Sequence, residues 1–204
     1  MRKSIAYVVC GLAAALLLAP AAMAQTTKVA AEVKAGAFVA DTNHSKVTWS
    51  VSHFGFSTYV GQFAGVTAAL KLDPANLAAT TLDATIQTAA VGTLNAALDT
   101  HLKSADFLDV AKFPTATFKA TSVKSTGAST ADITGDLTLH GVTKPVVLQA
   151  TFNQAGVSPV DKKYSVGFSA KAVVKRSDFG IKTYVPAISD DVTLQIDAEF
   201  KAAY

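Results

Sequence analysis

The strongest constraint on the fold of this 204-residue chain is an alternation of apolar and polar residues that recurs from Phe38 onward. It is clearest near the C-terminus, where every second residue is apolar: Val192, Leu194, Ile196, Ala198 and Phe200. Side chains two residues apart on a β-strand point to the same face. The pattern therefore predicts strands with one apolar face and one polar face.

The same alternation recurs along most of the chain. Residues 131–139 and 146–152 predict an antiparallel hairpin, with Gly141 and Pro145 in the connection. Further strands are predicted near residues 61–72, 80–89, 114–124 and 164–175. Together these segments indicate about eight antiparallel strands in an all-β protein.

One segment follows a helical rather than a strand period. Leu94, Leu98 and Leu102 recur every four residues, which predicts that they share one helical face. Thr93 or Asn95 is the expected N-cap, and Pro114 ends the segment. The sequence thus predicts a short helical insertion between the third and fourth long strands.

Eight alternating strands can close into a barrel, which leaves no exposed strand edge. A barrel of this size is either filled by its own side chains or holds one small ligand. The predicted inner faces mix small and aromatic residues: Ala116, Ala120, Gly135, Ala150, Ala170 and Ala172 with Phe118, Phe152 and Phe168. That mixture suits a hollow interior, but a filled core in which alanine meets phenylalanine is equally compatible with it.

The first 24 residues have the features of a signal peptide. Arg2 and Lys3 precede an apolar run from Ile5 to Ala19, and residues 22–24 end in small side chains, so cleavage is expected before Gln25. The apolar run is shorter than the roughly 20 residues that span a bilayer. We therefore expect export to the periplasm with no membrane span after cleavage, a flexible leader over residues 25–36 and one domain over residues 37–204.

Composition excludes several classes of partner and stabilising bond. Loss of residues 1–24 removes Arg2 and Lys3 and no acidic residue, so 16 of the 18 basic side chains remain beside 15 acidic ones, a formal charge of +1. Such a balance gives no support for binding to nucleic acid. The only cysteine, Cys10, lies inside the predicted signal peptide, so disulfides cannot stabilise the domain.

Four separated motifs resemble the YceI-like family of secreted, polyisoprenoid-binding bacterial proteins. They are "DTNHSKVTWSVSHFGFSTYVGQF", "HLKSADFLDVAKFPTATFKATSV", "GDLTLHGVTKPVVL", and "RSDFGI" followed by "ISDDVTLQIDAEF". The resemblance covers roughly residues 38–200. It implies an eight-stranded lipocalin-like barrel with an apolar channel that takes up an isoprenoid, such as a quinone or polyprenyl phosphate, or another amphipathic lipid.

The candidate ligand-binding residues are aromatic and aliphatic side chains of the predicted channel and polar groups at its mouth: Trp49, Val51, His53, Phe54, Phe56, Tyr59, Phe63, Leu98, Leu102, Phe107, Phe118, Phe168, Arg176 and Phe179. The aromatic residues could instead be core. His53 either packs at a strand end or bonds a ligand head group. Arg176, the only arginine after residue 24, either pairs with Asp178, Asp190 or Asp191 or binds an anionic head group.

The motifs of other chemistries are weak or missing. None of the four histidines stands at a metal-ligand spacing from another, and no nucleophile elbow occurs, so no metal, cofactor or catalytic residue is predicted. We expect a lipid carrier or sequestering protein rather than an enzyme. Two alternatives remain: an enzyme that isomerises or cyclises a bound lipid with His53 as acid or base, and a filled barrel that acts through surface contacts in a stress response. Uncovered strand edges would allow a homodimer.

Overall fold

The computed structural model describes residues 26–203, which form twelve β-strands and one α-helix. The strands are β1 (Thr26–Thr27), β2 (Gly36–Ala40), β3 (Lys46–His53), β4 (Ser57–Phe63), β5 (Thr67–Leu72), β6 (Thr81–Gln87), β7 (Val91–Gly92), β8 (Thr115–Ser125), β9 (Thr130–Leu139), β10 (Val142–Val157), β11 (Tyr164–Lys175) and β12 (Asp191–Ala202). The helix α1 is Ala96–Lys103, and 3-10 turns lie at Ala30–Glu32, Leu77–Ala79, Thr88–Ala90 and Arg176–Phe179. The predicted signal peptide lies outside the described residues. Among residues 26–203, no helix has the length and hydrophobicity needed to cross a membrane.

The strands close into the eight-stranded antiparallel barrel that the alternation predicted. The ladder runs from β2 through β5, β6, β8, β9, β10 and β11 to β12, which pairs again with β2. β3 continues the path of β2, since β12 pairs with both, at Phe200↔Ala40 and at Ile196↔Val47. β4 and β5 likewise share one path, opposite β3 and β2. Eight positions around the barrel are therefore occupied by ten strands, because two positions are interrupted.

The predicted helical insertion lies between β6 and β8, the third and fourth positions of the barrel. Asn95 caps α1, because its side-chain oxygen accepts hydrogen bonds from the backbone N–H of Ala97 (3.1 Å) and Leu98 (3.2 Å). Leu94 differs from the prediction: it precedes the helix with a φ of 64° and is fully exposed. Only Leu98 and Leu102 of the three leucines turn toward the barrel.

The insertion covers a part of the barrel wall that strands leave open. β4 pairs with β3 on one side, whereas on its other side the described residues give it only the two-residue β7, at Gln62↔Gly92 and Phe63↔Val91. Val91 and Leu108 of the insertion are buried beside Phe63 of β4. The homodimer stays a prediction.

The described part of the predicted flexible leader contacts the barrel. Thr26 and Thr27 pair with Gly156 and Ala155 of β10, and Val33 is buried. β1 extends the sheet beside β10, but it has only two residues, which is too short for a strand period to be visible in the sequence. Burial of the apolar Val33 side chain against the barrel interior holds it in place.

The barrel interior divides into two parts along its length. One part, here called the filled end, is a close-packed cluster formed mainly by β2, β5, β10, β11 and β12: Val33, Phe38, Leu70, Leu72, Phe152, Ala155, Val166, Phe200 and Ala202. The opposite part, the hollow end, contains a cavity that is lined by inward side chains of β3, β4, β6 and β8 to β12. The sequence was compatible with either a filled or a hollow barrel. In the structure, one end of the barrel is filled and the other end is hollow.

Candidate functional site: an apolar cavity in the barrel

The cavity of the hollow end has a volume of about 320 Å³, at the low end of the range for small-molecule sites. Alternate residues of β3 and β12 form one wall, including Val47, Val51, Val192, Leu194 and Ile196. Their inward direction follows from the two-residue period of each strand. These side chains are only partly buried although they point into the barrel, because they border empty space and not other side chains.

Five of the predicted site residues come from β3 and β4 and line this cavity: Trp49, Val51, His53, Tyr59 and Phe63. Trp49 and Gly61 are directly opposite each other on the two strands. A side chain at Gly61 would overlap the Trp49 ring, so glycine is what allows the indole to lie against the sheet. The "VTWSVSHFGFSTYVGQF" segment is thus a hairpin whose inner face borders the cavity.

Five further predicted residues line the cavity from other elements: Leu98, Leu102, Phe107, Phe118 and Arg176. Leu98 and Leu102 are one helical turn apart on α1, and Phe107 follows in the turns after it. Phe118 enters from β8, where its ring lies over Gly135 of β9. The structure therefore brings together ten of the fourteen candidates, although their role as ligand contacts stays a prediction.

The other four candidates do not line the cavity. Phe54 and Phe56 lie in the turn between β3 and β4, where the strand period ends, and both are exposed to solvent. Phe168 points inward from β11 as its period requires, but it packs in the filled end. Phe179 is buried in the 3-10 turn after β11, and its carbonyl oxygen lies 3.1 Å from His140 Nδ1. Phe168 is separated from the cavity by its position along the barrel axis, which the two-residue period does not encode.

The structure places His53 at a strand end beside the cavity, and a bond from its ring to a ligand head group stays a prediction. It is the last residue of β3, its ring borders the cavity, and its backbone forms an isolated bridge with Ile188. The ring packs edge-on against Phe54 at 4.6 Å and lies 6.3 Å from Tyr59 between ring centroids. His53 therefore closes the strand-end packing and presents a polar ring at the rim of the cavity.

Arg176 holds the loop over residues 181–189 through backbone carbonyls. Its Nε donates to the carbonyl oxygen of Ser189 (2.9 Å), one terminal nitrogen donates to those of Ile181 (3.3 Å) and Thr183 (2.7 Å), and the other to that of Ile188 (2.9 Å). Burial lowers the pKa of the guanidinium below its usual value, and the charge of Asp190 opposes this shift. The predicted partners are replaced by carbonyl oxygens.

Asp190, one of the predicted ion-pair partners of Arg176, binds Ser177 instead. It accepts hydrogen bonds from the backbone N–H (2.9 Å) and the hydroxyl (2.7 Å) of Ser177, and these bonds hold its pKa below the usual value. Four of the five guanidinium N–H groups of Arg176 are used by the loop. These hydrogen bonds fit the structural alternative, the arginine also contributes positive charge to the cavity boundary, and its contact with a head group stays a prediction.

The sequence matches the YceI-like domain family over residues 38–200. This chain belongs to the YceI-like family. UPF0312 proteins of Pseudomonas savastanoi pv. phaseolicola and Pseudomonas putida strain W619 are 41% and 42% identical to it over 186 residues, which cover 90% and 91% of this chain and 95% and 94% of those relatives. The resemblance that the sequence motifs suggested is confirmed.

Three solved structures share the barrel. A Campylobacter jejuni YceI protein is 34% identical with a TM-score of 0.67, covering 73% of this chain and 88% of that chain. Burkholderia cenocepacia BcnA has a TM-score of 0.69 at 24% identity, covering 76% of this chain and 95% of BcnA. A polyisoprenoid-binding domain from Saccharophagus degradans has a TM-score of 0.61 at 14% identity, covering 83% and 99%, so these last two show the fold alone.

Several residues of the YceI-like cavity are absent from the sequence-based candidates. They are inward aliphatic side chains of β6, β8, β9 and β10: Ile86, Ala116, Leu137, Leu139, Val146 and Leu148. The alternation placed Leu137, Leu139, Val146 and Leu148 on an apolar face. Nothing in that pattern distinguishes an inner side chain that packs against another from one that borders a cavity, so only the structure identifies them as lining residues.

A second polar cluster lies at the filled end. Lys201 Nζ is 2.7 Å from both Asp41 Oδ2 and Asp161 Oδ2. Hydrogen bonds from Lys201 hold the pKa of Asp41 well below its usual range and lower that of Asp161 to about 2, while both carboxylates raise the pKa of Lys201. Among the described residues, Asp41, His44 and Glu199 could together hold a metal ion, but the Lys201 ammonium already neutralises Asp41. This cluster joins the β2–β3 connection to the loop before β11.

Proposed function

We propose that this YceI-like protein binds the apolar chain of an amphipathic lipid of the isoprenoid class in the cavity of its hollow end. The observation that carries the proposal is an apolar cavity inside a closed barrel, walled almost entirely by aliphatic and aromatic side chains. Proteins do not normally leave such space in a core, because packing it would add dispersion contacts and stability. The polyisoprenoid-binding domain of Saccharophagus degradans, which shares this fold, supports the ligand class.

The walls would supply most of the binding free energy. Each methylene group moved from water into apolar surroundings contributes about 0.8 kcal/mol, so about ten of them contribute about 8 kcal/mol before the costs of ordering are subtracted. Such binding needs no directional contact. It explains why the lining is made of side chains as different as Leu194, Phe118 and Trp49.

The head group would remain near the few polar side chains of the rim. His53 offers ring nitrogens, and Arg176 offers positive charge and one N–H group beyond those used by the loop. A head group that enters without a hydrogen-bonding partner loses about 1–3 kcal/mol. The rim would therefore select among head groups, while the walls supply affinity.

Export and a carrier role complete the proposal. The signal-peptide features of residues 1–24 favour the periplasm, where a lipid chain crossing between membranes needs a sheltered site. We place the protein as a carrier or sequestering agent without catalytic activity. Incubation with a prenyl lipid followed by extraction should return the lipid unchanged. Turnover that disappears in His53→Ala while binding persists would instead identify an enzyme.

Occupation of the cavity is tested by filling it. Ala116 on β8 lines the cavity, and the adjacent Thr115 faces solvent, so Ala116→Trp and Thr115→Trp form a matched pair. Space lost for two methylene groups, about 1.6 kcal/mol, lowers affinity about fifteenfold. Displacement of a fluorescent fatty acid by farnesol should weaken by at least that factor in Ala116→Trp and stay unchanged in Thr115→Trp.

Native ligand gives an independent check. The protein, purified from periplasmic extract without detergent, should yield about one lipid per chain on solvent extraction and mass spectrometry, and Ala116→Trp should yield much less. Equal displacement by both tryptophan variants, or equal lipid content, would contradict binding in the cavity.

A further inference from the structure

We propose that the hollow end docks on the surface of a lipid bilayer through exposed aromatic side chains at its rim. The exposed aromatic side chains of the described residues are Phe54, Phe56 and Tyr184, here called the rim aromatics. Phe54 and Phe56 lie in the turn between β3 and β4, and Tyr184 lies in the loop before β12. The proposal concerns the outside of the barrel. It rests on the proposed function only for its purpose, the passage of a lipid between bilayer and cavity.

The rim aromatics belong to loops that contact one another. The backbone N–H of Phe54 donates to the carbonyl oxygen of Ala187 (2.8 Å), which joins the β3–β4 turn to the loop that contains Tyr184. The ring centroid of Tyr184 lies 6.3 Å from that of Phe107 in the helical insertion. The β3–β4 turn, the 181–189 loop and the insertion therefore form one continuous rim at the hollow end.

This rim is one contact away from the cavity wall on two sides. His53 lines the cavity, and its ring packs edge-on against Phe54 with 4.6 Å between the ring centroids. Phe107 also lines the cavity and lies beside Tyr184. Apolar surface therefore continues from the cavity wall to the exposed rings. A bilayer that covers the rim would give a lipid chain a path into the cavity that avoids water.

Two of the rim aromatics have backbone conformations that bulky residues rarely adopt. The φ angles of Phe54 and Tyr184 are 53° and 61°, in the left-handed region, which glycine and asparagine enter more readily. Both residues are about half exposed, so core packing does not account for an aromatic side chain at either position. Such backbone strain clusters at ligand contacts and switch regions, which favours a binding role for the rim.

The rim loops have the charge pattern expected for contact with a neutral lipid surface. Residues 47–70, which contain the β3–β4 turn, and residues 183–189 have no Asp, Glu, Lys or Arg. The insertion beside them carries both signs of charge, with Lys103 and Asp106. At the filled end, by contrast, three of the six residues 158–163 are charged. Since burial of a charged side chain is costly, the uncharged rim loops are the part of the surface suited to enter a bilayer.

The rim aromatics form too small a surface for a stable contact with a second protein. A fully exposed aromatic side chain presents on the order of 200 Å², so the three together expose about 400 Å². A standard protein interface buries about 800 Å² on each partner. Rings on separate loops suit a fluid surface, since exposed apolar side chains insert roughly 5–10 Å into the boundary between lipid head groups and acyl chains. Area and shape therefore favour a bilayer over a protein partner.

Flotation of the protein with phosphatidylcholine vesicles tests the docking directly. Phe56 is 91% exposed at the hollow end and Val160 is 90% exposed at the filled end, so Phe56→Ser and Val160→Ser form a matched pair. Loss of one inserted phenylalanine should lower the partition coefficient onto vesicles about tenfold. Val160→Ser should bind like the wild type. Tyr184→Asn, which keeps a residue suited to left-handed backbone, should lower binding further when combined with Phe56→Ser.

Salt and lipid head group separate aromatic insertion from attraction between charges. Because the rim loops are uncharged, vesicles with and without phosphatidylglycerol should bind the protein similarly, and high salt should not weaken binding. Binding that requires phosphatidylglycerol and disappears at high salt would overturn docking by the rim aromatics. Equal vesicle binding by the wild type and by folded Phe56→Ser, checked by circular dichroism, would overturn it as well. Phe56→Ala replaces Phe56→Ser if the latter unfolds.

Two variants distinguish this inference from the proposed function. Ala116→Trp fills the cavity and leaves the rim unchanged, so it should float with vesicles as the wild type does. Phe56→Ser should keep the wild-type displacement of a fluorescent fatty acid by farnesol. Vesicle binding without displacement by farnesol in the wild type would overturn the proposed function alone, and displacement without vesicle binding would overturn the docking alone. A dimer that Phe56→Ser dissociates, in protein that does not bind vesicles, would assign the rim to a second copy and overturn the bilayer as its partner.

Discussion

The two ends of this barrel share β10, β11 and β12, and they differ in whether their inner side chains fill the interior. At the filled end, Phe38, Phe152 and Phe200 are buried to within a few per cent. At the hollow end, Leu194 and Ile196 point inward on β12 but remain half-buried, because they face a cavity. Alternation thus decides which side chains face inward, while their volume and position decide whether the interior closes.

The two ends also differ in how their loops are held. At the filled end, charged side chains join the connections, through Lys201 between Asp41 and Asp161. At the hollow end, Arg176 binds the carbonyl oxygens of the 181–189 loop. Stability should therefore depend mainly on packing and charge pairs at the filled end, and on one buried arginine at the hollow end.

The largest expected difference between the ends is the cost of removing an inner side chain. Phe200→Ala should reduce the free energy of unfolding by about 3–5 kcal/mol, because it creates a new cavity in a packed cluster. Leu194→Ala only enlarges an existing cavity and should cost about 1–2 kcal/mol. Urea unfolding followed by circular dichroism measures both. Equal losses would mean that the ends are packed alike.

Removal of the buried arginine is expected to have the next largest effect. Arg176→Leu leaves four carbonyl oxygens without their hydrogen-bond donor. Each unsatisfied buried group costs about 1–3 kcal/mol. Because the loop can rearrange so that water reaches some of these oxygens, we expect the free energy of unfolding to fall by a total of about 3 kcal/mol. The neighbouring Lys175→Leu removes an exposed salt bridge to Asp191 and should leave the free energy of unfolding close to the wild-type value.

Thermal melting and ligand retention together decide the role of Arg176. A lower melting temperature in Arg176→Leu, with Lys175→Leu close to wild type, supports the structural role. An unchanged melting temperature combined with weaker lipid retention would show that its main task is to hold a head group.

The smallest expected effect is the pH dependence of the filled end. The folded pKa values of Asp41 and Asp161 lie below the ordinary value of 3.8, with Asp161 at about 2. Their stabilising contribution is therefore complete above pH 4–5 and is lost as pH falls toward the folded pKa values. Lys201→Met should flatten the fall in melting temperature between pH 5 and 2, while Lys175→Met should not. Parallel curves for wild type and Lys201→Met would contradict the linkage.

Local patterns were sufficient to predict the barrel and much of its lining. Trp49, Val51 and His53 share one face because strand side chains alternate, and Leu98 and Leu102 share one face because they are a helical turn apart. Phe54 and Phe56 were wrongly predicted to line the cavity, because the strand pattern was continued into a turn, where the two-residue period no longer holds. Phe168 was misplaced for a different reason, since its inward direction was correct and its height in the barrel was not.

The family, the eight antiparallel strands, the inner face of each strand and the position of the helical insertion were predictable from the order of the amino acids. The contacts among Phe152, Phe168 and Phe200, the bonds from Arg176 to carbonyl oxygens and not to carboxylates, and the packing of residues 26–33 on the filled end became known from the folded chain. The physical reason is that direction along a strand depends on neighbouring residues, whereas packing and empty space depend on strand register, which brings together side chains far apart in the chain.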